Sequence, residues 1–207
     1  MSVDAGGVVE VVLPARLPAS AADDAVAQLR PWIESRQAAL AAARREYEGP
    51  AGTIPYLGEP LRVIAESGRS RVTRRGDALL VPAEDPAPVV EAFYRRAARA
   101  EIAPRLDAAC ARSGTSYGRL TIRAQRTRWA SCSSTGAMSF NWKLLLAPAA
   151  VLDYVVEHEV CHLEIRDHSP RFWALLESRV PEWRAASGWL RRYGPLLSLD
   201  SALRNAS

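Results

Sequence analysis

An α+β fold is what this sequence predicts, from three observations. Helix-like and strand-like runs fall in separate blocks, two long helical stretches flank a β-rich segment, and a proline-initiated helix follows three short strands around residue 140. With 207 residues, 48% of them hydrophobic and 24% charged, the chain can bury one sizeable core, or one core with a small subdomain. No internal repeat is present.

The elements follow in order. Residues 8–14, "VVEVVLP", read as a strand, and residues 20–47 have the length and the Ala/Leu/Arg/Glu content of a helix ended by Gly49-Pro50. From "TIPYLGEPLRVIAE" to "SRVTRRGDALLVP" short β-rich runs are split by turn residues at 58–60, 67–68 and 75–77, as in an antiparallel meander. Asp85-Pro86 opens a helix with an acceptor at the N-cap and proline at N1, running to about Ser113 with a kink at Pro104. The strands "YGRLTIRAQ", "RWASC" and "AMSFNWKLLL" come next, the last two around the turn at 133–136. Pro148 then starts "PAAVLDYVVEHEVCHLE", and Ser169-Pro170 starts a further helix. Phe172, Trp173, Trp183 and Trp189 are spaced as core of the last helices, and "GPLLSLDSALRNAS" reads as a loose end.

Composition narrows the function classes. The first twenty residues lack a basic segment followed by an unbroken apolar run, and the most apolar stretch is shorter than a bilayer span, so the expectation is a cytoplasmic protein with no membrane partner. Cys110, Cys132 and Cys161 are odd in number and lack CxxC spacing, which suits reduced thiols. The net charge of +4 is carried almost wholly by arginine, without aromatic interleaving, and assigns no nucleic-acid partner.

The chemistry concentrates in "EHEVCHLEIRDHSPRFW", where all three histidines of the chain lie within eleven positions. On the helix before Glu164, Leu152, Val155, Val156, Val160 and Leu163 form an apolar stripe, while His158 and His162, at i and i+4, share another face. That spacing lets two imidazoles converge on one metal ion, and Glu159, turned by about 100° from His158, reaches the metal's water in preference to the metal. Five residues separate His168 from His162, enough to leave the helix and turn back. Three imidazoles and one open position are the donor set of catalytic zinc. The expected cofactor is therefore Zn2+, one per chain, although an N/O site also admits manganese or cobalt. Zinc lowers the pKa of its water, Glu159 accepts the proton, and hydroxide attacks a carbonyl or phosphoryl centre.

The stretch "RWASCSSTGAMSFNWKLLLAPAAVLDYVVEHEVCHLEIRDHSPRFWALLE" closely resembles the YgjP-like zinc metallopeptidase family. That family's pattern runs from an Arg-Trp-Gly-Ser-Cys strand through Asn-Trp and a Pro-initiated HExxH helix to a His-Ser-x-x-Phe-Trp segment. The likeness is strongest over residues 117–193 and loose over the first 50. It implies a zincin-like catalytic part with the HExxH helix packed on a small antiparallel sheet, His158, His162 and His168 as zinc ligands, and Glu159 as the catalytic glutamate. Ala130 stands where the family usually has glycine. The histidine spacing also equals that of metzincins, but Ile165 occupies their glycine position and both methionines, Met1 and Met138, lie upstream, so no Met-turn follows. A more distant similarity to SprT-like proteases, which act near DNA, assigns no partner here.

The domain organisation expected is a strand, helix and β-meander over 1–85, a zincin-like metal-dependent hydrolase domain over 86–194, and a tail over 195–207. The function expected is a zinc metallopeptidase acting on a peptide or protein substrate. The alternatives are a zinc phosphohydrolase acting on nucleotides and a metal-binding interaction module without turnover. Asn141, Arg128 and Tyr154 are candidate substrate contacts, with a turn-capping amide, a solvated arginine and a core-edge tyrosine as the competing readings. The strand "AMSFNWK" is a candidate to receive an extended peptide. Asp153, Glu157, Asp167 and Glu177 are candidate acceptors that fix an imidazole tautomer, and Cys161 reads as a small buried residue.

Overall fold

The computed structural model describes residues 1–4, 6–18, 20–125, 127–199 and 203. Contacts divide the chain into two units, Met1–Glu48 with Arg191–Leu196, and Gly49–Leu190 with Leu197–Ser207. In the first, β1 (Ser2–Val3) pairs antiparallel with β2 (Val9–Glu10). The expected strand over 8–14 shrinks to two paired residues because β1 offers no longer edge. The helix expected over 20–47 is two, α1 (Ser20–Gln28) and α2 (Arg30–Tyr47). Pro31 causes the break, since it lacks the N–H that would continue α1 and disfavours helical geometry in the residue before it. Leu40, Ala43 and Leu196 form this unit's small core, with Val3, Tyr47 and Tyr193 packed on it.

The second unit contains two sheets. One joins β3 (Thr53–Tyr56), β4 (Glu59–Glu66), β5 (Thr73–Arg75) and β6 (Ala78–Pro82) in the order β3-β4-β6-β5. The expected meander is not followed, because β4 and β6 pair in parallel, Val63 opposite Leu79 and Ile64 opposite Leu80. The reason is burial. β6, "ALLVP", is buried throughout and takes an interior position, which displaces the exposed "TRR" of β5 to the edge.

Helix α3 (Pro86–Ser113) buries Val90, Tyr94, Ala98, Ile102 and Leu106, a stripe at four-residue spacing. Asp85 precedes it in a left-handed conformation (φ 41°) and makes no side-chain cap, contrary to the sequence expectation. The helix continues through Pro104 because proline lies on the exposed face, where the carbonyl it leaves unpaired at Ala100 meets solvent.

The sheet beside the histidine helix joins β7 (Leu120–Arg123), β8 (Ala130–Cys132) and β9 (Met138–Asn141) in the order β7-β9-β8. It is mixed, not antiparallel as expected. All four residues of β9 are buried, so β9 sits centrally, with β8 returning antiparallel on one side and β7 parallel on the other. A 3-10 turn (Trp142–Leu146) leads into α4 (Ala149–Glu164), followed by α5 (Pro170–Arg179) and α6 (Trp183–Tyr193). The tail is not loose where it is described. Leu197, Leu199 and Leu203 are buried, whereas residues 200–202 and 204–207 lie outside the described residues.

The turn between β3 and β4 seats the start of α4. Leu57 accepts a hydrogen bond from the Ala149 N–H (3.2 Å) and donates its own to the Leu145 carbonyl (2.7 Å), so one backbone group of the helix N-terminus is satisfied by a distant turn. Gly58 makes this possible, with φ +93° and so close an approach that a Cβ there would lie 3.3 Å from Pro148 Cα. Gly58→Ala is expected to destabilise the protein by about 1–2 kcal/mol from backbone strain, and further from that contact. Gly76→Ala, where φ is +59° but nothing lies within 4 Å, should cost less. Urea midpoints of the two variants, at unchanged m, check the ranking.

Candidate metal centre

Helix α4, largely buried, carries two of the three histidines. Leu152, Val155, Val156 and Val160 are buried as the stripe requires, but Tyr154, Glu157, Glu159 and Cys161 are buried as well, so the opposite face is not solvated. His158 and His162 project from this helix toward His168, which lies in the segment joining α4 to α5. The donor nitrogens of the three all fall within 4.8 Å of one another. His158 Nε2 and His168 Nε2 are 3.2 Å apart. Nitrogens bound to one tetrahedral ion at ~2.0–2.1 Å stand roughly 3.3 Å from each other, so this pair is spaced for a shared ion.

The electrostatics favour the ligand form. Burial first, then the neighbouring His162 and His168, push the His158 imidazole down to about 4, and burial likewise lowers His162. Neutral imidazole is the form that binds a metal. One tutoring hydrogen bond is present, between His162 Nδ1 and the Ile165 carbonyl (3.1 Å). The acidic acceptors expected for this role are engaged elsewhere: Asp153 with Arg105, Glu157 with Arg112, Glu177 with Arg184, and Asp167 with the Ser169 N–H. A backbone carbonyl does what a carboxylate was expected to do, because the chain turns at Ile165 within reach of the ring.

Phe172, fully buried on α5, underlies all three rings, with centroids 4.9 Å from His158, 4.6 Å from His162 and 4.8 Å from His168. Glu159 is 5% exposed, and the backbone N–H of Cys132 lies close enough to its carboxylate to favour the charged form. Register explains why that N–H is available. Trp129 and Ser133 bond to β9 through Asn141 and Ala137, so the backbone groups of Ala130 and Cys132 face the outer edge of β8.

A family model described as YgjP-like, metallopeptidase domain, matches residues 1–193. The chain belongs to the YgjP-like family. Neither a curated protein nor a solved structure matches it. The match includes the first 50 residues, which resemble the family only loosely by eye. Membership brings a metallopeptidase domain and with it a divalent metal, for which the three histidines are a candidate donor set. No helix among the described residues is long and apolar enough to cross a membrane.

The other predicted contacts of this YgjP-like domain are placed differently from one another. Asn141 is 2% exposed, its amide donating to the Gln125 carbonyl (2.8 Å) and accepting from the Lys143 N–H (3.1 Å), which is the turn-capping reading. Tyr154 is buried edge-on to His158, 5.9 Å between ring centres. Arg128 is exposed, makes no hydrogen bond or ion pair among the described residues, and lies within electrostatic reach of Glu159. β9 is paired on both sides and has no edge to offer a peptide, so that expectation is not met; the edge strands of this sheet are β7 and β8. Sequence reasoning did not find the Cys132 N–H, because strand register is not readable from a three-residue strand.

Burial pushes the Glu159 carboxyl up from 4.5 to about 7, against the smaller opposing pull of the Cys132 N–H and Arg128. The folded, metal-free chain therefore holds this proton more tightly than the unfolded chain. Its contribution to stability is full below about pH 4.5 and is lost as pH rises through about 7, by up to about 3 kcal/mol. Glu159→Gln has no proton to lose. With metal chelated, the variant is expected to gain on the wild type between pH 5 and pH 8, as read from urea midpoints. An equal gap at both values contradicts this.

Proposed function

We propose that this YgjP-like protein is a zinc-dependent metallopeptidase whose hydrolase domain, over 86–194, holds one Zn2+ on His158, His162 and His168. The observation that carries the reading is three imidazoles gathered within 4.8 Å beside a buried glutamate on the same helix. Zinc, when bound, supplies Lewis-acid activation of water and of a substrate carbonyl. Glu159 takes the proton from the attacking water and passes it to the leaving amine. Burial gives its carboxyl the raised proton affinity such a shuttle needs, and the nearby Cys132 N–H favours its charged form once the proton has left.

The outer edge of β8 is the place for an extended peptide. Ala130 presents its N–H and C=O there, next to Cys132 and hence to Glu159, so main-chain pairing would lay the scissile bond along the site. The alanine that replaces the family's usual glycine sits in ordinary strand pairing opposite Phe140, where a Cβ is accommodated. Arg128, two residues before it and without an ion-pair partner among the described residues, brings a cation within electrostatic reach of Glu159.

Mass spectrometry of a peptide library incubated with zinc-loaded protein tests the reading. Cleavage that chelation abolishes and zinc restores supports it. Hydrolysis of nucleoside triphosphates with no peptide cleaved would overturn the peptidase, and absence of bound metal after zinc is added would overturn the metal site.

A further inference from the structure

His168 is unlike the other two histidines. It is exposed, it lies outside regular structure, and among the described residues its only polar contact is the one with His158 Nε2. His158 and His162 are held by the rigid backbone of α4, and His162 also by the Ile165 carbonyl. A ligand on a joining segment pays conformational entropy on binding unless something holds its ring in place.

What holds the ring is an aromatic stack. The Trp173 indole lies over the His168 imidazole at 5.5 Å and 30°. Trp183 lies against the far face of this stack, 4.6 Å and 22° from Trp173. The Arg184 guanidinium covers Trp183 at 4.7 Å and is paired with Glu177, which lies on the same helix as Trp173. Four planar groups thus run from the imidazole to a charge-fixed guanidinium, and Phe172 meets His168 edge-on at 4.8 Å. Trp173 and Trp183 are only half-buried, so they are not the core residues that the sequence expects. Each such contact favours the stacked arrangement beyond what burial alone supplies, and together they bias one ring orientation.

We propose that Trp173, backed by Trp183 and Arg184, is a positioning residue that pre-orients His168 as the third metal ligand. The inference rests on the metal-site reading above and adds the device that completes the site. It acts chiefly through His168, since its other imidazole contact is the more distant, edge-on one to His158 at 6.1 Å, and it is assigned no contact with metal or substrate.

Zinc affinity, measured by competition with a chromogenic chelator, is the test. Trp173→Leu is expected to weaken binding about 10-fold, and Trp173→Phe, which keeps a stacking ring, to restore most of it. In a His168→Ala background Trp173→Leu should have a much smaller effect, left only by its edge-on contact with His158, whereas a merely structural role would weaken binding equally in both backgrounds. Should Trp173→Leu fail to fold, 19F NMR of wild-type protein labelled with 5-fluorotryptophan, assigned with Trp173→Phe, decides: zinc must shift the Trp173 resonance. Wild-type affinity in folded Trp173→Leu, an undiminished effect without His168, or an unmoved resonance would each overturn the proposal. Failure of the wild type to bind zinc would instead overturn the metal site itself.

Discussion

Glu159→Gln is expected to lower peptide hydrolysis by about 1000-fold while leaving bound zinc in place. Glutamine preserves shape and keeps an oxygen near the Cys132 N–H, so the β8 edge and the imidazoles keep their geometry. What it lacks is a proton acceptor at the point where water must lose one. Because the side chain is 5% exposed, bulk water offers no substitute base at that position. The measurement is kcat with metal content determined on the same sample. Loss of turnover at full metal content supports the assigned role. A variant that retains more than about a tenth of wild-type kcat would remove Glu159 from the chemistry, and one that loses its metal would make it a structural residue.

Phe172→Ala is the second large effect. The ring is fully buried and is the common floor of all three imidazoles, stacked on His162 at 26° and meeting His158 and His168 edge-on at 71° and 69°. Truncation removes the apolar surface and leaves a cavity under the site, at a cost of about 3–5 kcal/mol. Phe172→Leu fills most of that volume and should cost markedly less. The two differ from the Glu159 variant in sign of consequence, because they should lower stability and zinc affinity together. Urea unfolding with chelator and again with saturating zinc separates the two contributions: the zinc-dependent gain should be smaller in Phe172→Ala than in the wild type. An equal gain would mean that the ring supports the fold without orienting the ligands.

The site and the fold were legible to different degrees. The i, i+4 pair His158 and His162 follows from helix geometry alone, as does the offset of Glu159, and both appear on α4 as the spacing requires. The long helix α3 was visible as well, since Pro86 and Gly114 mark its ends by backbone preference. The single helix over 20–47 was misread because composition outweighed Pro31. The sheets were misread in direction because strand partners depend on which runs the core claims, as β6 and β9 show.

The sequence by itself determined the candidate donor set, the helix that presents two of its members, and the alternation of strand and helix blocks, since each is set by residues within a few positions of one another. Tertiary structure alone decided the rest. It buried Glu159 and brought the Cys132 N–H near its carboxylate, left β8 at an edge of its sheet, and stacked Trp173 on His168 and Trp183 on Trp173. Those outcomes join segments far apart in the chain or depend on side-chain directions fixed by packing, and local periodicity carries no information about either.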